Sequence, residues 1–359
     1  MKTKLLLESK NFVPSFKSWI VSGVLNPGGT RTKNNKIVLY ARISEFAEHK
    51  HGEAIVCPMI TSKNEYKISY QKIHDEDIIM KGKWNEIYLK DGTCRLPNIS
   101  HFRKVILSKD GFNIDKIEQK PCFTGIPNES EYGVEDARIT EIDGKYYMTY
   151  VGVSSINGVS TYLAISKDLD KWERIGLIFR EQNKDVVLFP EKINGKYVAL
   201  NRPESSFSFS RPGIWISYSK DLIYWGKEKN LARPRPGSWE ENRIGAGCPP
   251  IKTAKGWILI YHGMRETASN NERVYSVGTI LLDIKNPEKI IARTSTKKPL
   301  ISPSNQFEKH GYINNVVFPT AAIKTLDKKS LLIYSGGADS VITARIIPIN
   351  YILKNMEYN

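Results

Sequence analysis

The chain has 359 residues, 40% hydrophobic and 10% aromatic, with 18 Tyr and 7 Trp. That length and apolar content exclude a disordered chain or a mini-protein, and the aromatics suit strands better than helices. The formal charge of +15 favours anionic ligands, but there is no dense Lys/Arg run and no RNA-binding motif, which argues against a nucleic acid partner.

At the N-terminus, Met1-Lys2-Thr3-Lys4 leads into Leu5-Leu6-Leu7-Glu8, an apolar run too short for a signal peptide. No stretch has the length and apolarity of a transmembrane segment, so no membrane association is expected and a cytoplasmic location is. Cys57, Cys94, Cys122 and Cys248 are far apart and lack metal-ligand spacing, which fits reduced thiols and no metal site.

Five segments share one plan: an apolar strand, a tight turn, a second apolar strand. The first runs from Thr30 through the turn Asn34-Asn35 to Ile37-Val38-Leu39-Tyr40. An insertion of about residues 44–100 stretches this unit. The second copy, Ala137 to Ile142, turns at Asp143-Gly144 into Tyr146 to Tyr150; the third turns at Asn194-Gly195 into Tyr197 to Leu200. The fourth has Ala254-Lys255-Gly256 before Trp257 to Tyr261, and the fifth has Leu326-Asp327-Lys328 before Leu331 to Tyr334. Asp-Gly and Asn-Gly favour hairpins because both central residues must take positive φ. A trailing marker recurs as Ser108-Lys109-Asp110, Ser166-Lys167-Asp168-Leu169 with Trp172, and Ser219-Lys220-Asp221-Leu222 with Trp225; Leu282 to Pro287 is a looser copy. Repeats of this size with a turn and an aromatic near their end predict an all-β, five-bladed β-propeller formed as a single domain over 1–359. An irregular β-sandwich is the competing arrangement.

A propeller would bring the inner strand of each repeat to a common axis. Across the copies, that position collects Asn26 and Arg42, Asp136 and Arg138, Glu191, Lys192, Asn201 and Arg202, Arg243, Tyr261 and His262, and Asp339. Each has a bland alternative, such as a structural ion pair or a satisfied core histidine. Several cations around one or two carboxylates suit binding an anion beside a bond that must be protonated. In an inverting glycosyl transfer, a water nucleophile needs a second carboxylate as base, whereas phosphate needs only cations to hold it. Candidate cations outnumber candidate bases, which favours phosphate.

The chain resembles glycoside hydrolase family 130, inverting β-mannoside phosphorylases and related β-mannosidases. The resemblance rests on Asn26-Pro27-Gly28, Tyr40-Ala41-Arg42, Ile99-Ser100-His101-Phe102-Arg103, Gly133-Val134-Glu135-Asp136-Ala137-Arg138, Asn183 to Lys192, Gly245-Ala246-Gly247 and Tyr261-His262-Gly263. It implies a five-bladed propeller with Asp136 as general acid, acting directly or through a sugar hydroxyl. It further implies Arg202, Arg243 and His262 as phosphate ligands. Asn26, Arg42 and Asp339 would surround the mannosyl unit. Arg103, Arg138, Lys192 and Tyr261 are further candidates for substrate binding.

The implied partners are a β-mannooligosaccharide, β-1,2-linked by resemblance of the 99–103 stretch, and inorganic phosphate as co-substrate, with no organic cofactor and no metal. Assembly into a homo-oligomer is left open. Two departures stand out: Asn201-Arg202-Pro203 where the family often has His-Arg-Pro, and an extra acid, Glu241, two residues before Arg243. A hydrolase using Glu241 as base, a mannosyltransferase and a non-catalytic carbohydrate-binding propeller are the alternatives.

Overall fold

A computed structural model describes residues 2–48, 53–82, 86–205, 207, 209–266 and 272–358. Nearly all regular structure is β; the α-helices among the described residues are Gln306–Lys309 and Ile349–Lys354. Five sheets of at least four strands follow one another along the chain. The first runs inner to outer through Trp19–Arg31, Ile37–Ala47, Asn98–Leu107 and Ile114–Ile117. The second is Val134–Ile142, Lys145–Ser154, Gly158–Ser166 and Glu173–Phe179; the third is Asn183–Leu188, Tyr197–Pro203, Ile214–Ser219 and Trp225–Ala232. In the fourth, Arg243–Ala246 and Ile251–Thr253 share the partner Gly256–Glu266, followed by Arg273–Leu282, Ile290–Thr294 and the C-terminal Met356–Tyr358. The fifth is Val317–Lys324, Ser330–Gly337 and Val341–Pro348, with its outer place taken by Lys2–Leu7 from the opposite end of the chain.

Apolar side chains alternate along the strands, so each sheet has two buried faces. Val38 and Leu39 illustrate this, the first packing towards the second sheet and the second towards the fifth. Five apolar clusters result, one between each successive pair of sheets and one between the fifth and the first. The sheets therefore form a closed series.

The expected hairpins are present. Asp143, Gly144, Asn194 and Gly195 all take positive φ, as their turns require. The trailing markers cap the connection to each outer strand. Ser166 Oγ accepts from the N–H of Asp168 and Leu169, and Asp168 Oδ1 accepts from Asp170 and Lys171; Ser219 and Asp221 repeat the arrangement.

The insertion in the first sheet is narrower than 44–100, because the ladder continues through Ser44↔Ser100 to Phe46↔Asn98. Between those ends lie two small sheets, Ile55–Ile60 with Ile68–Ile73, and Ile78–Lys81 with Ile87–Leu89 and Cys94–Arg95. The insertion docks on the segment before Asp136, where Ile60 N–H donates to Glu131 O at 2.8 Å.

Candidate active site

Three inner strands break register at matching places. The ladder shifts between Leu25 and Gly28, between Glu135 and Arg138, and between Lys184 and Val187. The residues in the breaks, Asn26, Asp136 and Asp185, have φ of 33°, 51° and 56°. Asn and Asp tolerate this left-handed region better than other side-chain-bearing residues, and the bulge turns the polar group out of the ladder. One local device thus presents a polar side chain from three successive sheets.

The first part of the site is acidic. Asp136 Oδ1 accepts from Asn26 Nδ2 at 2.9 Å and from Arg42 Nη1 at 3.2 Å. Arg42 also pairs with Glu135 at 2.5 Å and donates Nε to Ser100 Oγ at 3.1 Å. Burial alone would lower the Arg42 pKa, but Glu135, Asp136 and Asp339 hold it above its usual value. Asp339, on the turn after Ser330–Gly337, is pushed up to about 6 by burial, with Asp136 and Glu135 adding to the rise and Arg42 opposing it.

The second part is cationic. Arg202 Nε donates to buried Asp185 at 2.6 Å, Arg138 Nη2 lies 3.5 Å from the same carboxylate, and His262 Nε2 lies 3.4 Å from it. Burial opposes ionisation of Asp185, but Arg202, His262 and Arg138 outweigh it and hold its pKa far below the usual carboxylate range. Glu204 pairs with Arg202 and, at 3.2 Å, with Arg243. His262 is pushed down to about 3, mainly by burial and further by Arg202, Arg138 and Arg243, against Asp185. It is a neutral imidazole near pH 7, able to donate one hydrogen bond but adding no charge. The Phe318 ring packs on it, centroids 4.3 Å apart.

Arg138 ties the two parts together. Its Nη1 donates to Asp136 O and its Nε to Gly247 O at 2.8 Å. Gly245 lies directly beneath: a Cβ there would sit 2.2 Å from Asp185 Oδ2 and 2.6 Å from His262 Cε1. Unpaired buried polar atoms converge on this spot. Arg138 Nη2, Arg243 Nε, both ring nitrogens of His262 and, on the acidic side, Asn26 Oδ1 have no hydrogen-bond partner. Buried donors without partners are costly, so their concentration in one place marks where a ligand would satisfy them.

The structure therefore brings together Asn26, Arg42, Asp136, Arg138, Arg202, Arg243, His262 and Asp339. It does not bring Arg103, Lys192 or Tyr261 to them, which corrects the sequence expectation. Arg103 is fully buried and saturated, donating Nε to His101 at 3.0 Å, Nη1 to Val13 O at 2.6 Å, and Nη2 to Ser15 Oγ and Glu45 Oε1. Lys192 is exposed beyond the end of Asn183–Leu188, its ammonium 4.5 Å from the centre of the Tyr197 ring. Glu191 beside it pairs on the surface with Lys252. Tyr261 points from the opposite face of its strand to His262, into the core between the third and fourth sheets, where its hydroxyl donates to Glu240.

Asn201 likewise faces away from Arg202, bonded to Asn183 and Ser217. Glu241 has both carboxylate oxygens engaged, by Gly237 N–H and by Arg265. Asp185, Glu135 and Glu204 are the acids the sequence reading left out. Among the described residues no His/Cys/Asp/Glu cluster could hold a metal. No helix among them is long and apolar enough to cross a membrane.

A family model described as β-1,4-mannooligosaccharide phosphorylase, glycoside hydrolase family 130, matches residues 98–358. A β-1,2-mannobiose phosphorylase of Listeria innocua is 35% identical over 353 residues, covering 96% of this chain and 94% of that protein. A Thermoanaerobacter β-1,2-mannobiose phosphorylase is 41% identical over 323 residues, covering 89% and 96%. The solved structure of the Listeria innocua enzyme with β-1,2-mannobiose superposes with a TM-score of 0.86 at 33% identity, over 99% of each chain. With the acid of the resembled motif and the cations around it meeting in one place, the chain belongs to glycoside hydrolase family 130.

Proposed function

We propose that the protein is an inverting β-mannoside phosphorylase built as a single-domain, five-bladed β-propeller, each of the five large sheets being one blade. The substrate is a β-1,2-linked mannobiose or oligomannoside, and the site lies where the inner strands converge. The linkage follows the two β-1,2-mannobiose phosphorylases reported above. A cytoplasmic location fits four free cysteines.

The observation that carries the reading is the set of buried donors without a hydrogen-bond partner on Arg138, Arg243 and His262, joined to Asp136 through Arg138, whose Nη1 donates to the Asp136 carbonyl. Guanidinium groups match phosphate oxygens with paired N–H donors, and neutral His262 adds a donor without the cost of burying another charge. Asp185 and Glu204 hold Arg202 and Arg243 in place before the anion arrives. A phosphate oxygen attacks the anomeric carbon from the face opposite the glycosidic oxygen. The C1–O bond breaks, and the departing oxygen takes the Asp136 proton, directly or through a sugar hydroxyl. The products are α-mannose 1-phosphate and an acceptor shorter by one unit. Arg42 and Asn26 fix the Asp136 carboxyl, and Asp339 shares the mannosyl pocket with them. No second carboxylate is needed as base, and both oxygens of Glu241 are committed elsewhere.

The test is incubation with β-1,2- and β-1,4-mannobiose, with and without phosphate. α-Mannose 1-phosphate released from the β-1,2 disaccharide only in the presence of phosphate is the expected result. Free mannose at equal rates without phosphate would make the protein a hydrolase, and intact substrate in every tube would make it a binding protein.

A further inference from the structure

The segment that follows Arg202 carries a feature the chemistry above does not use. Phe207 and Phe209 are 65% and 87% exposed, yet their rings stack at 5.3 Å between centroids and 11° between planes. Single exposed apolar residues are ordinary, but two large rings held parallel in water gain little from each other while leaving their outer faces wet. The loop is fastened at both ends to the site. Glu204, three residues before Phe207, bridges Arg202 and Arg243. Beyond the pair, Arg211 donates to Glu241 O, and Pro212 O accepts from Ile244 N–H, the residue after Arg243. Within the loop, Ser205 Oγ accepts from Phe207 N–H at 3.1 Å, and Phe207 O accepts from Ser210 N–H. Neither ring belongs to an apolar cluster among the described residues.

We infer that Phe207 and Phe209 form a stacking platform at the mouth of the site for an outer mannosyl unit of the acceptor, making the enzyme's preference depend on chain length. This rests on the mannoside reading above. A β-mannopyranosyl ring in its chair has axial C–H bonds at C1, C3 and C5 on one face, an apolar surface suited to an aromatic ring. Its equatorial hydroxyls point outward, and the axial O2 stands on the opposite face. A chain whose terminal mannosyl is held beside Asp136 must leave the site past the rim, and these rings stand on the rim loop leading from the cationic cluster. An aromatic surface with polar groups nearby is the usual composition of a small-molecule site.

The experiment compares the wild type with a Phe207→Ala/Phe209→Ala variant and a Phe207→Tyr/Phe209→Tyr variant, all full-length. Phosphorolysis of β-1,2-mannobiose and of the β-1,2-linked tetrasaccharide is followed, together with KM for phosphate. The alanine variant is expected to raise KM for the tetrasaccharide about tenfold, with KM for mannobiose and for phosphate unchanged, and the tyrosine variant to restore it. Equal tetrasaccharide KM in wild type and alanine variant overturns the platform. So does a rise confined to phosphate, which would make the loop a cover for the anion. A dimer that becomes monomeric on sedimentation with unchanged KM also overturns it, since the rings would then seat a second copy. Calorimetric binding of the tetrasaccharide to the same variants in an Asp136→Asn background reads the platform without turnover. It separates this inference from the reaction: tenfold weaker binding supports the platform even if wild type proves hydrolytic, and equal binding rejects it even if phosphorolysis is confirmed.

Discussion

Arg103 and the arginines around Arg138 differ in how their donors are satisfied. Around Arg103, in the first sheet, Nε and both terminal nitrogens find protein acceptors, with Glu45 on one side and the Val13 carbonyl on the other. Around Arg138, Arg202 and Arg243, two carboxylates are shared among three guanidinium groups, and Arg138 Nη2 and Arg243 Nε have no hydrogen-bond partner. Burial and charge are common to both. What separates the two clusters is the guanidinium hydrogen bonding: every nitrogen of Arg103 has an acceptor, whereas Arg138 Nη2 and Arg243 Nε have none, beside both ring nitrogens of His262.

The sharpest test of that division is Asp136→Asn, which keeps the shape and the Asn26 and Arg42 neighbours but removes the transferable proton. Turnover is expected to fall about a thousandfold while circular dichroism and the unfolding midpoint stay close to wild type. Activity within a few-fold of wild type would move the acid to another residue.

The scaffold side of the comparison is probed by Arg103→Met, which leaves the Glu45 carboxylate buried without its cation. A loss of about 3–5 kcal/mol in urea unfolding is expected, with KM for phosphate and mannobiose unchanged in the folded fraction. Unaltered stability would place Arg103 back among the functional residues.

Arg243→Ala should do the reverse. Its side chain is a quarter exposed and, among the described residues, its one ion pair is with Glu204. KM for phosphate is expected to rise about 10- to 100-fold, with the unfolding midpoint nearly constant. A rise in KM for the sugar alone would contradict the assignment of the anion to this side.

The dependence on pH tests the two parts of the site separately, because His262 and Asp339 have opposite signs. His262 has its folded pKa pushed down to about 3, so below pH 6.5 the unfolded chain binds a proton that the folded one does not. Its contribution to stability is present at neutral pH and is lost as pH falls from about 6.5 towards 3, at up to about 1.4 kcal/mol per pH unit. Asp339, pushed up to about 6, has the opposite linkage: the folded state is favoured at low pH, and that advantage disappears as pH rises through about 6. His262→Gln should therefore flatten the acid limb of the stability profile. Asp339→Asn should gain stability over wild type at pH 7 but not at pH 4. Parallel wild-type and variant curves across pH 3–8 would remove either residue from its assigned environment.

Much of this was readable in the chain because hairpin turns announce themselves locally. Asp143-Gly144 and Asn194-Gly195 fix two inner hairpins through their positive φ, and the Ser-Lys-Asp-Leu markers fix the outer ones through bonds spanning two or three residues. What was not readable depended on register or on distant partners. Asp185 is the counterpart of Asp136, but it stands nine residues before the Asn194 turn where Asp136 stands seven before Asp143, so counting from the turns hides the match. Tyr261 and His262 are neighbours on one strand and so face opposite ways, and only the packing reveals which one faces the site. Arg103 looked functional because its neutralising acid, Glu45, lies 58 residues earlier, across the insertion.

The placing of Lys2–Leu7 against Val341–Pro348 has a consequence for how the protein is made. Lys2–Leu7 has no sheet partner until Val341–Pro348, more than three hundred residues later, has been synthesised. Asp339 arrives in the same late segment. Closing so long a loop is slow, and intermediate sheets would meanwhile show open edges. A nascent chain stalled before residue 339 would hold Asp136 and all the arginines of the site but neither Asp339 nor the seam with Lys2–Leu7, so activity should await synthesis of residues 339–348.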